Sequence, residues 1–422
     1  MFKTVEEAQN WIENIKRFGS KLDLKRMEKV VALLDHPEKT FKSIHVAGTN
    51  GKGSTSTYLK KILSHAGFKV GIYTSPYVVK FNERIGINDD YISDDELVHY
   101  ANELYPLTEK MLEDDETVTF FEVLTLMAFL YFRDQKVDYA VIEVGLGGLL
   151  DATNVIIPEI AVITNISYDH MKQLGNTLES IALNKLGIVK DNVPLVTAIE
   201  NTNLFPLFSE VTAKHNSRLK ICNFDMVTNI DVKEVTRFKY RDQEYLLNLT
   251  GYHQVKNAVL AIETIRLLRI INNLHLTEED IYEGLKTAAW PGRFEIFNKN
   301  VVIDGAHNIG GIEALIKSAR TVFAGKYIKC LFSVMRDKEH KKMIEELDNF
   351  CDELYFTEFE YQRRADAEEL FSESSHYHKS FHTDYKQIFF KLSTELKENE
   401  VLIVTGSLYF ISEIRKLLVK NK

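Results

Sequence analysis

Two segments, VDYAVIEVG (137–145) and PEIAVITNI (158–166), are apolar almost throughout rather than at every second position. A strand with one wet face alternates, whereas an unbroken apolar run has to be covered on both faces, as in a parallel sheet between helices. Parallel neighbours need crossover connections, and those are normally helices. The flanking sequence supplies them. KSIHVAG, FKVGIYTS and VPLVTAI read as further strands, and the spacing predicts helices over 5–18, 23–34, about 54–66, 94–113, 120–134 and 178–190. Between 219 and 250 the pattern changes to alternation, as in FKYRDQEYLLNLT, which predicts a small antiparallel insert. Helices over 254–273 and 278–288 follow. WPGRFEIF (290–297) carries Pro and Gly together and reads as a hinge. Beyond it strand–helix alternation restarts with NVVIDGA, a helix at 310–323, KCLFSVM, ELYFTEF, helices at 365–375 and 384–396, EVLIVTGS and a helix at 408–419.

At 422 residues the chain is too long for one typical core. The expected organisation is an α/β, P-loop ATPase-like N-terminal domain (1–294) with a mostly parallel sheet and the antiparallel insert. A smaller Rossmann-like α/β C-terminal domain (295–422) follows. A net charge of −9 argues against a broad nucleic-acid footprint. Cys222, Cys330 and Cys351 form no zinc or disulfide pattern and fit a reducing compartment. The N-terminal stretch has no apolar signal core, and no run approaches the roughly 18 apolar residues of a membrane span. The expectation is a cytoplasmic chain, a monomer, with no membrane or nucleic-acid partner.

The strongest chemical signal is HVAGTNGKGST (45–55), a glycine-rich turn between a strand and a helix. Such a turn lets backbone N–H groups wrap phosphates, and the helix N-terminus adds a positive field. Lys52 offers a point charge for the β- and γ-phosphates, and Ser54 or Thr55 a hydroxyl for Mg²⁺. The fit to G-x-x-x-x-G-K-[ST] is imperfect, because Gly48 is three residues before Gly51 and Gly53 stands where the hydroxyl is expected. Glu143 ends a buried strand at the edge where α/β sheets place ligands, and His170 follows the next strand end.

GTNGKGS resembles the phosphate loop of the folylpolyglutamate synthase and dihydrofolate synthase family, relatives of the muramyl peptide ligases. The likeness continues through KLDLKRMEKVVALLDHP, TSPYVVKFNERIGIND (74–89), TFFEVLTLMAF (119–129), EVGLGGLLDATN (143–154) and TNISYDHMKQLGNTLESIALNKLGI (164–188). It runs on through GYHQVKNA (251–258), WPGRFE (290–295), DGAHN (304–308) and TGSLY (405–409), all in family order. It implies ATP, Mg²⁺, L-glutamate and a folate or dihydropteroate as cofactors and small-molecule substrates. ATP would be held by Gly48, Thr49, Asn50, Gly51, Lys52, Gly53 and Ser54, with Asn257 on the adenine side and Arg293 and Asp304 on the phosphates. Mg²⁺ would be bound by Ser54, Ser75, Glu143, His170 and Lys185, the lysine as a carbamate. The pterin substrate would meet Phe120, Phe121 and Glu122 and the loop Asp151, Ala152, Thr153, with Arg84 beside it. His307 and Ser407 match positions facing glutamate and the developing phosphate. The catalytic set implied is Lys52, Lys185, Arg293 and His307. The chain departs from the family at Tyr77 for the usual His, at Leu149 for a common Arg, and at Gly86 and Asp89 in the ERI-x-ING pattern.

The chemistry implied is ATP-dependent. A carboxylate becomes reactive toward an amine once phosphorylated, and an acyl phosphate must be kept from water. An arginine directly after Pro291–Gly292 suits a closure that completes the site. The rivals are a muramyl-peptide-type amide ligase, which TxFE, FNERI and DGAHN disfavour, and a P-loop regulatory ATPase without ligase activity.

Overall fold

The computed structural model describes residues 1–16, 23–113 and 116–420. They divide into two compact units, residues 1–224 with 257–287, and residues 225–256 with 288–422.

In the first unit the strands are β1 (Lys42–Ala47), β2 (Val70–Tyr73), β3 (Ile85–Ile87), β4 (Asp90–Tyr91), β5 (Tyr139–Glu143), β6 (Ile160–Ile163), β7 (Leu195–Thr197) and β8 (Leu219–Ile221). They form one sheet in the order β4-β3-β2-β5-β1-β6-β7-β8. All pairs from β2 to β8 are parallel, and β3 and β4 add an antiparallel edge. The two apolar runs flank β1, as β5 and β6. β5 gives Ala140 and Ile142 to a core with Leu126, Leu130 and Phe129 of the helix Phe120–Asp134. β6 gives Ala161 and Ile163 to a core with Ala182 and Leu186 of the helix Leu178–Leu186. Burial on both faces is why these strands read as continuous apolar runs.

β1 sends the chain toward β2 on one side, and its neighbour β6 sends it toward β7 on the other. Their carboxyl ends therefore frame a switch point, the place where an open α/β sheet opens a crevice for a ligand. The helix after β1, Lys52–His65, is packed from outside by the helix Glu278–Thr287.

The second unit contains a three-stranded antiparallel sheet, β9 (Val227–Val232), β10 (Thr236–Tyr240) and β11 (Gln243–Leu247). Its larger sheet comprises β12 (Glu295–Phe297), β13 (Val301–Ile303), β14 (Tyr327–Phe332), β15 (Glu353–Thr357), β16 (Lys379–His382) and β17 (Glu400–Thr405), in the order β12-β13-β17-β14-β15-β16. Only β12 is antiparallel to its neighbour.

The observed units differ from a single cut at residue 294. Residues 225–256 and 288–294 group with the later part of the chain. The hinge-like segment is hydrogen-bonded there: Gly305 N donates to Gly292 O at 2.9 Å and Phe294 N to Asp304 Oδ2 at 2.8 Å. Tyr252 lies under the Lys317 ammonium at 4.8 Å. The helix expected over 5–18 spans Val5–Asn14, and positions 17 and 18 lie outside the described residues. Several elements were not expected: the helices Phe205–Lys214 and His340–Asp348, the strands β3 and β4, and the edge strand β16. Residues 219–221, expected in the antiparallel insert, are instead the parallel strand β8 of the first sheet.

Gly284 sets the packing on the phosphate-side helix. A Cβ there would lie 2.5 Å from Ile62 Cα and 2.7 Å from Ile62 N, both backbone atoms. Gly284→Ala should therefore destabilise the protein by ~1–3 kcal/mol despite alanine's better helix propensity. Denaturant unfolding of the variant checks this, and an unchanged midpoint would contradict the close approach.

Candidate active site

The turn after β1 is built by close approach. Gly48 has φ 145°, and a Cβ on it would sit 1.8 Å from Thr164 Oγ1. That hydroxyl donates to Asn50 O at 2.6 Å. Asn165 completes the clamp: its Nδ2 donates to Asn50 O at 3.0 Å, its Oδ1 accepts from Asn50 N at 3.0 Å, and its carbonyl accepts from Thr49 N at 3.0 Å. Thr49 Oγ1 in turn donates to Ser167 O and accepts from Ser167 N, both at 3.1 Å. The loop after β6 thus holds the loop after β1 in one shape. Gly51 has φ 84°, a conformation glycine adopts freely, and a Cβ on it would meet Asn257 Oδ1 at 2.3 Å. So Asn257, buried on the helix Tyr252–Ile271, lies against the same loop.

The helix Lys52–His65 starts at Gly51 without a side-chain cap, so its first N–H groups face the loop's concavity. Lys52 folds over the loop: Nζ donates to Gly48 O at 3.2 Å and Thr49 O at 3.3 Å, and lies 4.0 Å from Glu143 Oε1. Lys185 reaches the same carbonyl from the helix Leu178–Leu186, donating to Gly48 O at 2.9 Å. Burial, and next the Lys52 ammonium, pull Lys185 down to about 7. Near neutrality a large share of this side chain is therefore the free amine, and that share rises with pH.

Glu143 is buried at the end of β5, where Val46 pairs with it. Ser75 lies two residues beyond β2, the other neighbour of β5. His170, in the left-handed region (φ 49°), is half exposed, 3.8 Å from Asp169 Oδ1. Ser54 is buried in the first turn of the helix after the loop. Glu143 and Ser75 thus stand at the carboxyl ends of two neighbouring strands, Ser54 on the helix after a third, and His170 seven residues beyond β6.

Next to them is a second construction. Arg84, whose carbonyl accepts from Thr74 N at 2.9 Å, is buried, and its guanidinium is walled by Tyr77 at 5.1 Å, Phe120 at 5.5 Å and Phe81 at 5.7 Å. Its Nε makes no hydrogen bond, and among the described residues no carboxylate forms an ion pair with it. Phe121 packs on Tyr73 at 5.7 Å and over Gly145, where a Cβ would be 2.4 Å from its ring. Glu122 is engaged structurally. It accepts from Thr119 N at 2.7 Å in a capping box and from Arg26 at 2.9 Å. Asp151 is buried, which raises its pKa, and accepts from Leu146 N at 2.8 Å, Thr153 N at 3.1 Å and Thr153 Oγ1 at 2.5 Å. Ala152 is packed in the core beside it.

In the second unit Asp304 is buried, which raises its pKa against the opposing pull of Arg293. Its carboxylate accepts from Phe294 N at 2.8 Å and Ala306 N at 2.9 Å. Gly305 is pinched, since a Cβ would lie 2.2 Å from Leu408 Cδ2 and 2.9 Å from Arg293 Nη1. His307 Nδ1 lies 2.8 Å from Gly305 O; a carbonyl only accepts, so the proton is on Nδ1. Ser407 is buried ahead of the helix Leu408–Lys420. Arg293, Asp304, His307 and Ser407 are therefore held by the ends of β13 and β17 and the segment before β12. The clamp residues Thr164, Asn165 and Ser167 were not singled out from sequence. Their signal was the position directly after a central strand.

The chain is similar to known proteins along nearly its whole length. Residues 46–265 match the Mur ligase middle domain, and residues 292–408 match the Mur ligase glutamate ligase domain. The chain is 38% identical to a dihydrofolate synthase/folylpolyglutamate synthase of Bacillus subtilis, over 99% of this chain and 100% of that one. It is similar to the crystal structure of a Thermotoga maritima folylpolyglutamate synthase (31% identity, TM-score 0.84, 99% and 97% of the chains). It is also similar to Escherichia coli FolC in complex with DHPP and ADP (26% identity, TM-score 0.88, 99% and 98%).

Lys52→Ala should abolish ATP-dependent turnover while the protein stays folded, because its Nζ spans the loop carbonyls and the Glu143 carboxylate. Steady-state kinetics with circular dichroism checks both parts. Near-normal turnover by a folded variant would remove Lys52 from the phosphate site.

Proposed function

The chain belongs to the dihydrofolate synthase/folylpolyglutamate synthase family of Mur ligases, and from that premise we propose how its own residues perform the reaction. It is an ATP-dependent acid–amino-acid ligase that adds L-glutamate to folate, and dihydropteroate is a second acceptor. The observation that carries the acceptor assignment is Arg84. A buried guanidinium with no carboxylate beside it among the described residues is costly until an anion arrives. Its aromatic walls suit a ligand whose carboxylate is attached to a flat ring system.

Lys52 leaves the Gly48 and Thr49 carbonyls for the terminal phosphates, and the N–H groups at the start of the helix Lys52–His65 hold the same oxygens. The acceptor carboxylate displaces ADP from the γ-phosphorus, giving an acyl phosphate. The glutamate nitrogen then attacks the acyl carbon, phosphate leaves, and the amide proton balance is completed by loss of the amine proton. The donor set fits a hard divalent cation, one carboxylate and two hydroxyls with an imidazole, so Glu143, Ser54, Ser75 and His170 would hold Mg²⁺. Bound there, Mg²⁺ neutralises phosphate charge. Arg293, Asp304, His307 and Ser407 are the residues we assign to the nucleotide phosphates and the incoming glutamate.

Lys185 belongs to this site as a carbamate. Its depressed pKa supplies the free amine that CO₂ adds to, and the product turns a buried cation beside Lys52 into an anion. ¹³C NMR of protein equilibrated with ¹³C-bicarbonate should give one carbamate resonance that Lys185→Met removes. The signal should strengthen from pH 6 to pH 8, as the free-amine fraction grows. No Lys185-dependent resonance would exclude the carbamate.

ADP release should require L-glutamate together with either dihydropteroate or tetrahydrofolate, with products one glutamate heavier by mass spectrometry. ADP release independent of any acceptor would instead mark a regulatory ATPase. In the same assay Arg84→Ala should raise the acceptor KM about ten-fold or more, the cost of losing a charged hydrogen-bond partner, with the ATP KM nearly unchanged.

A further inference from the structure

We propose that His45 is a positioning residue for the acceptor-binding loop, acting through the Thr153 hydroxyl on the carboxylate of Asp151. The inference rests on the reading of Asp151 as an acceptor contact. His45 lies on β1, three residues before Gly48, and its side chain is fully buried. Its Nε2 is 2.8 Å from Thr153 Oγ1, and that oxygen is 2.5 Å from Asp151 Oδ1. The directions follow from proton counting. Asp151 faces the backbone donors Leu146 N and Thr153 N, so it is the accepting end. The single Thr153 proton therefore points to Asp151, and a lone pair of the hydroxyl accepts from His45 Nε2–H. The chain of donors reads His45, Thr153, Asp151, and it fixes both the tautomer of the ring and the rotamer of the carboxylate.

The other ring nitrogen strengthens the case. His45 Nδ1 is buried with no hydrogen-bond partner. Leaving it unsatisfied costs about 1–3 kcal/mol, a cost that an apolar side chain of similar shape would avoid. An imidazole at this position does something packing alone does not require, and its one hydrogen bond is the one to Thr153. Burial, with the Lys190 charge next in effect, lowers His45 to about 3, so the ring stays a neutral donor throughout the range in which the protein works. Lys190 itself donates to Asn154 O at 2.8 Å, on the same loop. The strand that delivers the phosphate loop thus also orients the residue that meets the acceptor.

The test uses the full-length protein and steady-state kinetics with each substrate varied in turn. His45→Phe keeps an aromatic ring, though a larger one, without the donor; Thr153→Val keeps shape without the hydroxyl, and His45→Gln places an amide N–H near the Nε2 position. Both disruptive variants should raise the acceptor KM roughly ten-fold, with ATP and glutamate KM within about two-fold, as loss of a hydrogen bond to a charged group implies. The double variant should be no worse than Thr153→Val alone, because the two act in series. His45→Gln should recover most of the acceptor KM. Asp151→Asn serves as the control for the underlying reading. If it raises the acceptor KM while folded His45→Phe and Thr153→Val do not, positioning by His45 is wrong and the loop assignment stands. If Asp151→Asn leaves the acceptor KM unchanged, the loop assignment falls and takes the proposal with it. A parallel loss of ATP affinity, kcat and thermal stability in His45→Phe would show a merely structural role. Should His45→Phe fail to fold, Thr153→Val decides alone.

Discussion

The first unit depends on the contact between Gly48 and Thr164. A side chain at 48 would collide with the Thr164 hydroxyl, and without that hydroxyl and the Asn165 amide the Asn50 carbonyl would lose two donors. The phosphate loop therefore has its shape before any nucleotide arrives, and its ordering entropy is met in folding rather than in binding. Because β1 and β6 are paired in register up to Ala47 and Ile163, the clamp is a direct consequence of strand order. Lys52 and Lys185 contact that loop directly, and Glu143 lies beside Lys52.

Charge here is arranged in layers of decreasing solvation. Lys52 is partly exposed, and Lys185, Glu143 and Asp151 are nearly dry. Two ammonium groups near one carbonyl would repel strongly at low dielectric. Burial first, and this repulsion second, depress the pKa of Lys185, and that separates this lysine chemically from Lys52. Arg84 shows the opposite solution: a guanidinium cannot deprotonate in proteins, so it is wrapped by aromatic faces that offer weak attraction.

In the second unit Asp304 has the corresponding organising role. One carboxylate collects the N–H groups of Phe294 and Ala306 and so joins WPGRFE to DGAHN. Glu295 adds to it, accepting from Gly292 N at 2.9 Å and pairing with Arg415 Nε at 2.8 Å and Nη2 at 3.0 Å. A segment that reads as a hinge from its Pro and Gly is therefore tethered at several points within its own unit, and Arg293 is presented from an ordered backbone.

The α/β class, the parallel strands and their helices were legible because burial on both faces leaves a continuous apolar run that no other arrangement tolerates. The glycine-rich loop and its lysine were legible for a similar reason, since close backbone approach to phosphate admits few side chains. The helix His340–Asp348 could have been inferred from two successive parallel strands, KCLFSVM and ELYFTEF, which need a crossover; β16 could not, because KSFH is a short, half-exposed edge with no pattern. Tertiary structure alone decided that residues 225–256 group with the later unit, that Glu122 is spent on a capping box and Arg26, and that His45, Thr153 and Asp151 meet. These outcomes depend on residues distant in the chain, 96 positions apart for Arg26 and Glu122 and 108 for His45 and Thr153. Local propensity carries no information about such pairs. Only the order of strands in the sheet brings them within reach of a hydrogen bond.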